Sequence, residues 1–349
     1  MKKRILVTGG TGYIGSHTVV ELINAGFEPI IIDNLSNSNI GVLDGIKRIT
    51  GVEPIFENID LKDYVSLNKF FQKYEGIEAI INFAASKAVG ESVKMPVMYY
   101  RNNITSLLNL VELMPKYGIN HIVFSSSCTV YGQPDVLPVT EQSPIQPATS
   151  PYGYTKQVCE NIIRDTVKAT VGMKSILLRY FNPIGAHPSA EIGELPNGVP
   201  NNLLPFVTQT AIGLRSELKV FGNDYNTPDG SCIRDYIYVV DLAKAHVMAV
   251  ERMLDKKMKR SVEVFNLGTG TGLSVLEIVN KFMEVSGVNL PYQIAPRREG
   301  DIEKVWADPS LANKELGWKA DTPLEDVLSS CWKWELKLQE RREKDQQNS

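Results

Sequence analysis

The chain has 349 residues, 43% of them hydrophobic, and a formal net charge of −3. That length and apolar content suffice for one large domain or two ordinary ones and argue against global disorder. Without a basic excess a nucleic-acid partner is not expected, so any phosphate in a ligand must be met by local groups.

Met1-Lys2-Lys3-Arg4 leads straight into Ile5-Leu6-Val7, a run too short for a signal-peptide core. No stretch approaches the roughly 20 apolar residues of a membrane span, so no membrane partner is expected. Strands are predicted over 4–8, 28–33, 78–84, 121–126 and 175–180, alternating with helical patterns at 14–25, 65–73, 98–117 and 154–170. Short apolar strands separated by helices imply an α/β fold with a Rossmann-type, doubly wound parallel sheet. A dinucleotide-binding domain is expected over 1–182.

After Asn182-Pro183 the character changes, and 185–205 is rich in Gly, Pro and Asn, as irregular ligand-binding loops are. Strands at 218–221, 232–239 and 262–267 then alternate with helices at 241–256, 275–286 and 324–338. These form a smaller α/β substrate lobe over 183–338, some segments of which can pack back on the first domain. The charged, Gln-rich 339–349 extends the last helix as a fraying tail. Cys128, Cys159, Cys232 and Cys331 are scattered, and His17, His121, His187 and His246 lack ligand spacing. Neither a disulfide framework nor a metal site is expected, and a reducing cytoplasm is the default compartment.

Gly9-x-x-Gly12-x-x-Gly15 follows the first strand and opens the first helix. Such glycines allow a tight turn and close backbone approach to a pyrophosphate, which the helix N-terminus then attracts. A bland turn would also use glycines, but Asp33 at the end of the second strand strengthens the dinucleotide reading. As an acceptor for both ribose hydroxyls it repels a 2′-phosphate, and Asn34-Leu35-Ser36 brings no Arg or Lys, so NAD is favoured over NADP. The alternative for Asp33 is a strand-end cap.

Tyr152-x-x-x-Lys156 begins a predicted helix, and a spacing of four puts both side chains on one face. A nearby ammonium stabilises a phenolate and is expected to lower the tyrosine toward working pH. Such a pair is common on surfaces, but Ser125-Ser126-Ser127 ends an apolar strand at the carboxyl edge, where doubly wound sheets bind ligands. Serine, tyrosine and lysine together mark a catalytic site.

Gly9–Gly15 with Tyr152-x-x-x-Lys156 and Ser127 resembles the extended short-chain dehydrogenase/reductases. Within them, several blocks are similar to the nucleotide-sugar 4-epimerases that act on UDP-glucose and UDP-galactose. The early blocks are Thr8-Gly9-Gly10-Thr11-Gly12-Tyr13-Ile14-Gly15, Lys87-Ala88-Val89-Gly90-Glu91-Ser92 and Ser125-Ser126-Ser127-Cys128-Thr129-Val130-Tyr131-Gly132. The later ones are Arg179-Tyr180-Phe181-Asn182-Pro183, Pro200-Asn201-Asn202-Leu203, Phe221-Gly222-Asn223-Asp224-Tyr225, Arg234-Asp235-Tyr236 and Ala295-Pro296-Arg297-Arg298-Glu299-Gly300-Asp301. The chain departs from the family pattern at Ala85-Ser86 and Tyr154-Thr155, neither of which has an assigned chemical role.

The resemblance implies that NAD is held by Tyr13, Ile14, Asp33, Asn34, Leu35, Ser36, Asn37, Ser38, Asp60, Leu61, Phe83, Ala84, Lys87, Asn102 and Phe181, with Ser127, Tyr152 and Lys156. It assigns the UDP-sugar to Asn182, Asn202, Leu203, Phe221, Arg234, Tyr236, Arg298 and Asp301, with Lys87, Ser127 and Tyr152. Arg234 and Arg298 carry planar donor forks suited to diphosphate oxygens. Phe221 and Tyr236 read equally well as core residues. Val305 is placed by the resemblance beside the sugar pocket, where a tyrosine is often found, and its small size admits an acetamido group at C2; ordinary packing is the alternative.

The implied reaction is C4 epimerisation through a 4-keto sugar, by a family commonly homodimeric through a helical face. The 98–117 helix, with Leu107, Leu108, Val111 and Leu113, serves as that face or as core. The related 4,6-dehydratases place an Asp-Glu pair directly after the strand-end serine or threonine; Cys128-Thr129 stands here and argues against dehydration. A net reductase is excluded less firmly. A redox-sensing binding protein would not need Ser127, Tyr152 and Lys156 intact.

Overall fold

A computed structural model describes residues 2–298 and 301–347. Its largest sheet has seven parallel strands: β1 (Arg4–Thr8), β2 (Glu28–Asp33), β3 (Ile55–Asn58), β4 (Ile77–Asn82), β5 (His121–Ser125), β6 (Lys174–Tyr180) and β7 (Val262–Leu267). Their order is β7-β6-β5-β4-β1-β2-β3. The order reverses between β1 and β4, which opens a crevice at the carboxyl ends of the strands.

The longer helices are α1 (Tyr13–Asn24), α2 (Val42–Thr50), α3 (Tyr64–Lys73), α4 (Pro96–Leu113), α5 (Pro151–Ala169), α6 (Leu203–Ala211), α7 (Val239–Leu254), α8 (Val275–Ser286) and α9 (Leu324–Gln347). Alternating residues of β1 feed two cores, because successive strand side chains point to opposite faces. Ile5 and Val7 pack with Val19 and Val20 of α1 and with Ala245 and Val250 of α7. Leu6 packs on the other face with Phe71 of α3, Leu107 of α4 and Ile163 of α5.

Beyond Asn182 the chain builds a second, smaller lobe from short strands. Leu218–Phe221 pairs with Tyr292–Ala295, and Ile233–Arg234 lies between Leu273–Ser274 and Lys304–Val305. Tyr236–Tyr238 pairs with Asn182–Ile184. Leu204, Val220, Ile278 and Leu328 lie in its core. The chain nonetheless returns to the large sheet twice, with α7 against α1 and with β7 beside β6. Among the described residues no helix is long and apolar enough to cross a membrane.

Several local expectations change. The edge strand β3 and helix α2 were not visible in the sequence pattern. β3 reads IFEN, only half apolar. Gly45 weakens the helical signal of α2, and the fold needs it: a Cβ there would lie 2.6 Å from Ile192. The strand expected over 232–239 is two short pieces, split at buried Asp235, whose carboxylate accepts from the amides of Thr269, Gly270 and Ala307. The helix expected over 98–117 begins at Pro96 and tightens into a 3₁₀ turn at Met114–Tyr117. The last helix continues to Gln347.

Candidate active site

The glycine turn lies at the carboxyl end of β1. The Gly9 amide donates to Ile32 O at 2.7 Å and the Gly12 amide to Gly9 O at 3.1 Å. A Cβ on Gly15 would fall 2.2 Å from Gly9 O, so the turn closes onto α1 only with glycine there. Gly12 caps α1 with no side-chain hydrogen bond, which leaves the first-turn amides for an anion. The Asp33 carboxylate accepts from the amides of Leu35 at 2.9 Å and Thr11 at 3.3 Å and from the Ser38 hydroxyl at 3.1 Å. Asn34 donates to Asp60 at 3.2 Å, so the 33–38 loop and Asp60 gather beside the turn, with Ser36 and Asn37 exposed. The free helix end and the acceptor at the end of β2 fit a dinucleotide pyrophosphate and ribose.

Other residues expected at NAD fall into two groups. Phe83 and Ala84 follow β4, and Ala84 borders Gly9. Asn102 of α4 donates to the Ser86 hydroxyl at 3.0 Å, while Lys87 Nζ lies 3.5 Å from Glu194 and over the Tyr13 ring. Tyr13 donates to Gly185 O at 2.6 Å and so ties α1 to the second lobe. Ile14 packs against the cores of both lobes. Leu61 and Phe181, by contrast, are buried in apolar clusters.

Ser127, Tyr152 and Lys156 converge at the end of β5. Ser150 caps α5 by accepting from the Gly153 amide at 3.1 Å, with Pro151 in the first turn, and this fixes where the helix starts. Lys156 is buried and donates to Ser125 O at 2.6 Å; its Nζ is 5.9 Å from the centre of the Tyr152 ring. Burial pushes Lys156 down to about 8, against the opposing charges of Cys159 and Glu160. Burial is also the largest influence on Tyr152 and pushes its phenol well up, with Tyr180 adding and a hydrogen bond from Ser127 opposing. The lowering of the phenol expected from Lys156 therefore does not set the direction; desolvation of the phenolate does. Tyr99, unnoticed in the sequence, packs edge-on to Tyr152 with its hydroxyl donated to Glu91 at 2.7 Å.

The second lobe supplies the facing wall. Asp301 accepts from Arg298 at 2.7 Å and lies 3.9 Å from Arg234. Arg298 also stands over the Phe221 ring, which is 37% exposed and so not a core side chain. Tyr236 is buried in the core of the lobe. Glu299 and Gly300 lie outside the described residues. Arg234 acts electrostatically on the Cys128 thiol, so this arginine lies near the residue following Ser127. Val305 is buried in one apolar cluster with Phe181 and Tyr131, against which Cys128 packs. Asn182 opens the strand that pairs with Tyr236, Asn202 caps α6, and Leu203 packs on the core of the lobe. Glu194, also unforeseen, joins Lys87 to Asn202 with a 2.5 Å bond from the asparagine. No local pattern marks a lone glutamate in a Gly- and Pro-rich loop.

A pyrophosphate cradle beside a converged serine, tyrosine and lysine defines a class, the dinucleotide-dependent short-chain dehydrogenase/reductases. A family model described as GDP-mannose 4,6 dehydratase matches residues 6–331. The UDP-glucose 4-epimerase of Bacillus subtilis is 53% identical over 95% of this chain and 96% of its own. Among solved structures, a UDP-glucose 4-epimerase from Stenotrophomonas maltophila with bound NAD and formylated UDP-arabinopyranose superposes with TM-score 0.93 at 45% identity, covering 97% of this chain and 99% of that one. The Bifidobacterium longum enzyme, in complex with NAD+ and UDP, gives TM-score 0.91 at 46% identity, covering 96% and 98%. The chain belongs to the UDP-glucose 4-epimerase family, within the extended short-chain dehydrogenase/reductases.

Proposed function

We propose that this protein is a NAD-dependent enzyme that reversibly epimerises UDP-glucose and UDP-galactose at C4. The observation that carries this reading is the Ser127–Tyr152–Lys156 cluster at the end of β5, on the same carboxyl edge of the sheet as the glycine turn, with Cys128-Thr129 following Ser127 where a dehydratase needs carboxylates. Tyr152 takes the proton of the sugar 4-hydroxyl and later returns it, while Ser127 hydrogen-bonds the same oxygen. Lys156 holds the nicotinamide ribose and adds positive charge beside the phenol. Bound NAD supplies the acceptor that removes hydride from C4 and gives it back, and its cationic ring favours the ionised phenol. Arg234 and Arg298 grip the diphosphate, with Asp301 orienting both guanidinium groups. Anchoring through UDP leaves the hexose free to turn its other face after oxidation to the 4-keto sugar.

The test is to incubate purified protein with UDP-galactose, add no nucleotide, and look for UDP-glucose. Turnover with NAD released on denaturation supports epimerisation. No endogenous NAD together with strict dependence on added NADH establishes a reductase instead. The buried Val305 keeps the wall beside Cys128 small, so UDP-N-acetylglucosamine and UDP-N-acetylgalactosamine are included as substrates.

The protein also acts as a homodimer in the cytoplasm, where its free cysteines stay reduced. Leu107, Val111 and Leu113 belong to the core, so the outward face of this region is instead Val93, Val97 and Leu108. Tyr154 of α5 continues that face, beside Tyr100. Light scattering should give a dimer mass that Val97→Glu reduces to a monomer; a monomeric wild type would remove the dimer.

A further inference from the structure

Ser125 ends β5 and Ser126 and Ser127 follow it, and the fold gives each hydroxyl a different partner. Ser125 bonds the Tyr180 hydroxyl. Ser126 donates to Glu160 Oε1 at 2.6 Å. Ser127 accepts from the Thr129 amide at 3.2 Å and lies against Tyr152. Opposite them, α5 presents Tyr152, Lys156 and Glu160 at successive helical turns, on one face. Lys156 therefore holds the Ser125 carbonyl, Glu160 holds the Ser126 hydroxyl, and Tyr152 meets Ser127.

Glu160 itself cannot turn. Arg179 of β6 grips both its oxygens, Nε to Oε1 at 2.8 Å and Nη2 to Oε2 at 2.6 Å. The remaining nitrogen of Arg179 donates to the Tyr131 hydroxyl at 3.0 Å, which donates to Asn266 of β7 at 2.6 Å. Both members of the ion pair are 4% exposed. Such burial is poor value for stability alone, since a well-packed apolar pair does as well or better. What the charges provide here is direction, because a forked guanidinium fixes the plane of the carboxylate and hence the serine that donates to it.

We propose that Glu160, clamped by Arg179, is a positioning residue for the reaction: through the Ser126 hydroxyl it fixes the end of β5 so that the Ser127 hydroxyl and the Tyr152 phenol address the same sugar oxygen. This rests on the epimerase reading of the site. Sequence spacing shows Glu160 four residues after Lys156 and four before Arg164, which adds a longer 3.4 Å contact, but Ser126 and Arg179, its buried partners, come from the end of β5 and from β6.

The experiment measures kcat, KM for UDP-galactose and bound NAD for wild type, Ser126→Ala, Ser126→Thr and Glu160→Gln, and repeats Ser126→Ala in a Ser127→Ala background. Ser126→Ala removes only the hydroxyl and leaves the Glu160–Arg179 pair in place, so it reports even if Glu160→Gln does not fold. The expected result is a fall in kcat on the order of 10- to 10²-fold, as misplacement of reacting groups produces. KM and NAD content should stay at wild-type values, Ser126→Thr should recover kcat, and Ser126→Ala should cost nothing further once Ser127 is alanine. A kcat for Ser126→Ala equal to wild type overturns the proposal, as does an undiminished fall in the Ser127→Ala background. An inactive wild type overturns the epimerase reading first and the positioning role with it.

Discussion

The two walls of the site are built on opposite plans. At the end of β5 the chemical groups are buried and nearly all are tied to protein partners: Lys156 is 4% exposed and Ser127 7%. Across the crevice the Arg298 side chain is 58% exposed and rests on one carboxylate and the face of Phe221. The first wall comes from regular elements of a seven-stranded sheet, the second from strands as short as two residues and the loops between them. A reacting proton and hydride tolerate little misplacement, whereas a diphosphate can be gripped by arginines that close around it. Rigid chemistry and a yielding anchor suit an enzyme whose bound sugar must rotate between two half-reactions.

The contrast breaks most visibly at Tyr152. Replacing it with phenylalanine should lower kcat on the order of 10²- to 10⁴-fold, the usual worth of general acid–base catalysis. UDP-sugar affinity, measured by titration calorimetry, should survive because the anchor is elsewhere. Near-wild-type turnover in a folded variant would remove Tyr152 from the mechanism. On the other wall, Arg298→Ala should raise KM with little change in kcat. A charge-assisted bond contributes about 1.5–3 kcal/mol, so a rise on the order of 10- to 10²-fold is expected, and a loss confined to kcat would contradict the anchoring role.

Val305 lies at the seam between the walls, in the buried cluster that contains Phe181 and borders Cys128. A tyrosine there should cut UDP-N-acetylglucosamine turnover relative to UDP-galactose by about tenfold or more, as loss of pocket volume does. Failure of the wild type to use the N-acetylated sugar, or an unchanged ratio in Val305→Tyr, would show that Val305 is ordinary packing.

The smallest effect concerns the foundation of the rigid wall, where buried His246 packs on Phe83 and Tyr180. Burial lowers its pKa to about 4. An unfolded imidazole takes up its proton near pH 6.5, so between these values the unfolded chain binds more protons. Stability is then full above about pH 6.5 and falls as pH drops toward 4, by about 2 kcal/mol at pH 5. Melting curves of His246→Leu should show a shallower loss on acidification than wild type, and parallel curves would assign the acid sensitivity elsewhere. His17, lowered to about 3, adds a slope of the same sign in both proteins.

Much of this protein was legible from order along the chain. The Gly9–Gly15 turn, Asp33, and Tyr152 with Lys156 could be read because turn chemistry, strand ends and the spacing of a helical face are local properties. The parallel sheet followed from short apolar strands separated by helices. The family resemblance pointed to Ser127 among the three serines, but only the tertiary structure supplies the reason, since Ser125 and Ser126 are taken by Tyr180 and Glu160, 55 and 34 residues away. It alone placed β7 beside β6, joined Tyr131 to Asn266 across 135 residues, and set Glu194 between Lys87 and Asn202. It also set the direction at Tyr152, where burial, with Tyr180 of β6 adding to it, pushes the phenol up although the helical spacing to Lys156 suggested the opposite. Burial and long-range hydrogen bonds depend on which distant segments meet, and no window of sequence contains both partners.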